Sequence, residues 1–218
     1  MAKSSASPSR TLCIFGKEST AIEIAEAARL AAPDWDVVFV IRDEEEPEGP
    51  KMVRDLDLSD FLRERFGDAR FIIPFADGEE REKRVSFAEG LGLWPMTVIH
   101  PRAYVSPSAK VGPGCYLAPG AIVSSRATLA HHCILNLNVT FGHDSRAGRH
   151  FVANPGAAIS GRVILGERVL AGANSFFGAG ITVGDGSRID ALTHVARDVP
   201  ENHICTSRSL RMVPRRNG

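Results

Sequence analysis

A chain of 218 residues, 44% of them hydrophobic and with 26 acidic against 26 basic side chains, is long enough for one substantial core or two modest ones. No apolar run approaches the ~18 residues that span a bilayer, and the opening MAKSSASPSR lacks the apolar stretch of a secretory signal, so the sequence reads as cytoplasmic with no membrane partner. The charge is unevenly spread: residues 1–100 hold 13 Lys+Arg against 20 Asp+Glu, and residues 101–218 hold 13 against 6. A basic second half suits an anionic ligand, but few aromatics stand among its arginines to stack bases, which argues against nucleic acid. Cys13, Cys115, Cys133 and Cys205 show no C-x-x-C spacing and read as reduced packing thiols.

Residues 1–10 read as a flexible N-terminus. TLCIFG (11–16) is a buried strand and TAIEIAEAARLAA (20–32) an amphipathic helix ended by Pro33. WDVVFVIRDEEE (35–46) predicts a second strand with an acidic tip, DLDLSDFLRERF (55–66) a second helix, FIIPF (71–75) a third strand and GEEREKRVSFAEGLG (78–92) a third helix. Alternating strands and helices over 11–98 imply a small α/β domain, Rossmann-like with a parallel sheet, whose ligands bind at the carboxyl ends of the strands.

From Val105 the pattern changes. Stepping by six meets Val105, Val111, Leu117, Val123, Leu129, Leu135, Phe141, Ala147 and onward to Val195, sixteen apolar positions without a break. At a 44% background that has a chance on the order of one in a million, before correcting for frame. A period of six fits neither a helix nor a plain strand, so the chain must run as short extended segments separated by corners. The residue after each apolar one is small or turn-forming (Gly112, Asn136, Gly142, Gly166), which relieves crowding or permits positive φ at that point. The fourth residue on (Ala109, Cys115, Ala121, Val139) is mostly small or β-branched, as a narrow interior requires. The domain occupies 99–200, with 201–218 as a cap or tail. Solenoid ends leave strand edges unpaired, and the first domain can cap one end and the segment after Pro200 the other.

One of seven histidines stands out. In LNLNVTFGHDSRAG, His143 falls on an outward corner with Asp144 directly after it and Asn136 seven residues before. Imidazole titrates near neutrality and can take the proton that an amine or hydroxyl must lose as it attacks a thioester.

The hexads and this motif resemble the hexapeptide-repeat acyltransferases, which form a left-handed parallel β-helix. Together with the α/β domain they look like the bacterial sugar acetyltransferases of sialic acid, bacillosamine and perosamine pathways, whose motif reads N-x-x-x-x-x-[GD]-H-[DE]. The resemblance implies His143 as general base, Asp144 as the neighbour that raises its basicity, and Asn136 at the substrate. It implies acetyl-CoA as cosubstrate, with Gly161 and Ala179 near the acetyl group and Ala173 and Ala191 on another face, and a homotrimer that binds the coenzyme between subunits. Arg162, Arg168, Arg188, Arg197 and Arg208 are candidates for its phosphates. The acceptor is then a nucleotide-linked amino-sugar of surface glycan synthesis, such as a 4-amino-4,6-dideoxy sugar. The family's G-x-G-G-H first loop is here Gly16-Lys17-Glu18-Ser19-Thr20, so only Gly16 matches; Lys17 is left to meet phosphate, and Asp43 and Glu44 to read base or ribose. Two further departures are Val152, where the family has a second histidine, and Thr206-Ser207-Arg208-Ser209, where it has G-N-P-A.

Three alternatives stay open: O-acetylation of a sialic-acid-like sugar, a metal-dependent hydratase built on His131, His132, His143 and His150, and a non-catalytic scaffold. The spacing of those histidines does not match the H-x-x-x-x-H of hexapeptide-repeat carbonic anhydrases, so no metal is expected.

Overall fold

The computed structural model describes residues 10–49, 51–64 and 67–207. The first domain runs β1 (Arg10–Phe15), α1 (Ser19–Ala31), β2 (Trp35–Ile41), β3 (Met52–Arg54), α2 (Leu58–Glu64), β4 (Ala69–Ile72), α3 (Gly78–Gly90) and β5 (Trp94–Pro95). All five strands pair in parallel in the order β3-β2-β1-β4-β5. The sheet is a middle layer, and alternation along each strand divides its side chains between two cores. Leu12, Ile14, Val37 and Ile72 face α1, while Cys13, Phe15, Val38 and Phe71 share a core with Leu58 of α2 and Val85 and Ala88 of α3.

Beyond β5 the chain winds as a left-handed parallel β-helix of two-residue rungs, from Val98–Ile99 to Ile204–Cys205. Three parallel sheets form its faces. The first has seven strands (Val98–Ile99 through Ile204–Cys205), the second six (Tyr104–Val105 through His194–Val195) and the third five (Lys110–Val111 through Thr182–Val183). Up to the last coil each rung residue pairs with the one 18 positions on, so residues with the same place in the coil stack in columns; the final pairing, Arg188 with Ile204, is 16 apart. The second residue of each rung and the fourth after it point inward, forming one continuous core from Cys115 to Val199. Where that inner position is serine, its hydroxyl donates to a carbonyl: Ser145 to Ser160 at 2.8 Å, Ser187 to Pro200 at 2.6 Å.

The small residue beside each apolar position serves close approach, not positive φ. A Cβ on Gly112 would lie 2.8 Å from the Ala130 carbonyl carbon, and one on Gly148 2.6 Å from that of Gly166. Positive φ falls two residues later, at Arg126, His132, Asn138, Asp144, His150 and their counterparts. The repeat pattern predicts both duties at the same place; the structure separates them.

The first domain also sits differently from the expected end cap. The outward residues Val98, Tyr116, Ile134 and Val152 of the first face are buried in a shared core with Ile24, Ala27 and Ala28 of α1. The domain therefore docks along the side of the solenoid. At the next corner Arg81 of α3, with 0% exposure, donates to the His150 carbonyl at 2.7 Å. The rings of His132 and His150 stack at 5.2 Å, and Phe71 stacks on His132 at 6.0 Å. Burial, with Arg81 and other cations nearby, lowers His132 to about 4 and His150 to about 3, so both rings are neutral near pH 7.

Candidate active site

His143 lies on the corner between the second and third faces, across the solenoid from the face that the first domain covers. The turn is built by Asp144, whose φ of 60° lies in the left-handed region that Asp tolerates better than most residues. His143 Nδ1 is 2.8 Å from Asp144 Oδ2. The Asp144 carboxylate can only accept, so in the neutral ring Nδ1 carries the proton and Nε2 presents a lone pair. Arg126, one coil earlier in the column of Asp144, donates from Nε to Oδ1 at 2.6 Å and from Nη2 to Oδ2 at 3.0 Å. Those bonds, together with the one to His143, hold the carboxyl well below the usual carboxylate range.

Gly161 stands one coil on in the column of His143. A Cβ there would overlap the imidazole at Nε2, so only glycine leaves the ring where it is. Ala179 continues that column, and the coils are tied by Arg162 N–H to the His143 carbonyl (2.8 Å) and Gly180 N–H to that of Gly161 (3.0 Å). Ala173 and Ala191 form a second small-residue column on the corner between the first and second faces. The second face lies between the two columns. Arg162, Arg188 and Arg197 are exposed, whereas Arg168 faces Glu82 of α3 at 3.7 Å and Glu167 at 3.6 Å. Arg208 and Ser209 fall outside the described residues.

Asn136 is not beside His143. It sits on the corner between the first and second faces, where its Nδ2 donates to Asn154 Oδ1 at 3.4 Å. Val152 is 1% exposed within the contact between domains. His132 and His150 are on a third corner and do not converge with His143; among the described residues no group of three His, Cys, Asp or Glu side chains could hold a metal ion.

The first domain has its own cavity of about 350 Å³ at the carboxyl ends of β1 and β2, lined by Gly16, Lys17, Glu18, Arg42, Glu44 and Arg84 among others. This is where a doubly wound sheet places ligands. Gly16 adopts φ +95° and a Cβ on it would come within 3.2 Å of Phe75, which explains why that one glycine is present. Lys17 does not point at an open anion site. Its ammonium is 2.8 Å from Glu48 and 3.7 Å from Glu45, and the bond to Glu48 raises its pKa. Arg84 is likewise held by Asp55 and Glu80. Glu44 lines the cavity, but Asp43 lies outside that lining and accepts from the Leu56 N–H at 2.9 Å, bracing the loop. Sequence reasoning missed Arg42, which lines the cavity, and Arg126; the 18-residue column spacing was the signal for the second.

No protein-family model matches the chain, and no curated protein matches it. Solved structures do. Over 89% of its length the chain is similar to perosamine N-acetyltransferase from Caulobacter crescentus, solved with CoA and GDP-perosamine as a variant with one histidine replaced by asparagine. That match covers 92% of the neighbour at 27% identity, with a TM-score of 0.82. The acetyltransferase domain of PglB from Neisseria gonorrhoeae FA1090, solved with acetyl coenzyme A, is 26% identical over 90% of this chain and 95% of its own, with a TM-score of 0.81. WeeI from Acinetobacter baumannii AYE shares the fold at 19% identity and a TM-score of 0.82.

Proposed function

We propose that this chain is one of the hexapeptide-repeat sugar acetyltransferases, moving an acetyl group from acetyl-CoA to the amine of a nucleotide-linked amino-sugar in surface glycan synthesis. The observation that carries the reading is the His143 corner: an imidazole tied at Nδ1 to Asp144, with Nε2 over Gly161. It stands in a chain similar over both domains to enzymes solved with CoA, GDP-perosamine or acetyl-CoA. In this reaction the sugar nitrogen attacks the thioester carbonyl and passes its proton to His143 Nε2. The tetrahedral intermediate then collapses, the C–S bond breaks, and the thiolate of CoA takes that proton from His143, which returns to its starting form. The neutral Gly161 and Ala179 column gives the acetyl group room, and backbone N–H groups there meet the developing oxyanion. Asn136, Ala173 and Ala191 belong to the far edge of the second face, along which the coenzyme runs.

The working unit is a trimer. The first domain of each chain, with its cavity, lies across the solenoid from its own His143, so a second copy must bring a sugar-binding cavity to the base. The second face supports this with exposed Tyr104 and Ile122 and, past Thr140 and Ala158, exposed Phe176, which a neighbouring solenoid would cover. In the cavity, Gly16 allows close approach, Lys17 exchanges Glu48 for phosphate, and Glu44 reads ribose or base. Asp43 supports that loop.

The test is acetyl transfer itself. Incubation with acetyl-CoA and GDP- or UDP-linked 4-amino-4,6-dideoxy sugars is expected to release free CoA thiol and an N-acetylated product. Sedimentation is expected near three times 23.5 kDa. A protein that binds acetyl-CoA yet releases no thiol with any amino-sugar nucleotide, or a fully active monomer, overturns the reading.

A further inference from the structure

The His143–Asp144 pair has a third member that lies outside the sequence motif. We propose that Arg126 is a positioning residue for the transfer reaction, acting through Asp144 to hold His143 in one tautomer and one orientation. This rests on His143 being the base. An exposed ion pair alone contributes little, because water competes for both partners. Arg126 differs in geometry. Its fork meets both carboxylate oxygens, Nε to Oδ1 at 2.6 Å and Nη2 to Oδ2 at 3.0 Å. A bidentate pair fixes the plane of the carboxylate as well as its distance.

That plane decides what His143 can do. Oδ2 accepts from Arg126 Nη2 and also from His143 Nδ1, at 2.8 Å. A carboxylate free to turn would leave Nδ1, and the ring could flip or take its proton on Nε2, where it cannot act as a base. Both ends of the pair are anchored through their own backbone N–H groups. Arg126 is at φ 55° with its N–H on Ser108 Oγ at 3.1 Å, and Asp144 is at φ 60° with its N–H on the Ser125 carbonyl at 3.0 Å. Gly161 closes on the other side of the ring. The imidazole is therefore seated between a fixed carboxylate and a bare Cα.

Arg126→Asn suits the test, because Asn138, Asn174 and Asn202 occupy the equivalent left-handed place on other corners and the turn should persist. The experiment compares full-length wild type, Arg126→Asn and Arg126→Lys by 15N-histidine NMR, with the His143 signals assigned by their loss in His143→Ala. Steady-state kinetics accompany it. Wild type is expected to show one tautomer with Nε2 unprotonated, and Arg126→Asn a mixture. In Arg126→Asn, kcat should fall by about tenfold with both KM values within about twofold, as for loss of a group that orients a histidine without touching substrate. Lysine should restore less than half of the loss, since an ammonium cannot bridge two oxygens. An unchanged tautomer and kcat overturn the proposal. So does a raised KM for acetyl-CoA at constant kcat, which would make Arg126 a phosphate contact. If wild type shows the single tautomer and Arg126→Asn loses it, but no acetyl transfer is detected, the positioning stands and the reading of the reaction fails.

Discussion

The corner that holds His143 and the cavity at the ends of β1 and β2 are organised by opposite means. At the corner every partner is 1 or 18 residues away: Asp144, Arg126 and Gly161 are placed by the repeat, and no loop has to close for the geometry to exist. In the cavity the charged groups come from loops and helices, and two of its cations are already paired, Lys17 with Glu48 and Glu45, Arg84 with Asp55 and Glu80. A solenoid edge supplies preorganisation at the reacting atoms, whereas a loop-lined cavity supplies exchangeable ion pairs that a ligand must displace. Under the proposed function, the difference puts the chemistry in the rigid region and the selectivity in the adjustable one.

Substitutions can break or sharpen this division. His143→Ala is expected to lower kcat by ~10² to 10⁴. Its side chain is 48% exposed, so the thermal midpoint should stay within a degree or two of wild type, as expected for ~0.5 kcal/mol or less at a surface site. A normal rate would remove the corner from the chemistry. Asp144→Asn keeps the left-handed turn and removes the charge, and should cost less than loss of the base. Gly161→Ala comes next. Gly161 is not among the positive-φ glycines, so alanine fits the backbone there but must push the imidazole away. A fall in kcat of about tenfold to a hundredfold with unchanged folding is the expected result, from a displacement of about an ångström at the base. Equal activity would mean that His143 has slack that the column does not suggest.

In the cavity the effects should be smaller and should appear in KM. Glu48→Gln removes the principal partner of Lys17 and should lower KM for a nucleotide-sugar by about a fewfold, with kcat unchanged. Lys17→Ala should raise it. Opposite signs in titrations with UDP, dTDP or GDP would show that the pair supports the site instead of competing with it.

The contact that joins the two regions should respond to acid. His132 and His150 are held at about 4 and about 3, below their ordinary 6.5, by burial first and then by neighbouring Arg81, Arg149, His131 and Arg168. The unfolded chain binds protons near 6.5 and the folded chain does not until about 4. The contribution of these rings is therefore complete above about 6.5 and is lost progressively as pH falls through that value toward 4 and 3. Thermal midpoints at pH 7.5, 6 and 5 should decline, and His150→Asn, which suits φ 62°, should flatten the decline. An identical slope in that variant would place the acid sensitivity elsewhere.

The solenoid was legible because a period of six leaves a mark at every turn, and the motif at His143 because it sits in that frame. Arg126 was legible in principle and overlooked, since it lies 18 residues before Asp144 in a stretch that reads as ordinary surface. β3 and β5 were not legible: Met52–Arg54 follows an acidic, proline-containing loop, and Trp94–Pro95 is two residues long and ends in proline, so neither has a pattern to detect. Arg81 reads as surface in the polar stretch GEEREKRVS, and is buried only because α3 docks on a partner more than sixty residues away. Asp43 was chosen for its place at a strand tip, but the direction of its carboxylate toward Leu56 depends on a loop closure that no local spacing encodes.

The register of 18 also makes the solenoid a counter. A duplication of one whole coil beyond Ala179 would lengthen the rod and leave Arg126, Asp144, His143 and Gly161 facing as they do now, because each address is fixed modulo eighteen. An insertion of six anywhere between His143 and Gly161 would pass every test of composition and hydrophobic pattern, yet it would deliver Gly161 to a different side of the prism. Length variation in such a chain is therefore quantised: whole coils are silent to the chemistry, and thirds of a coil rewire it.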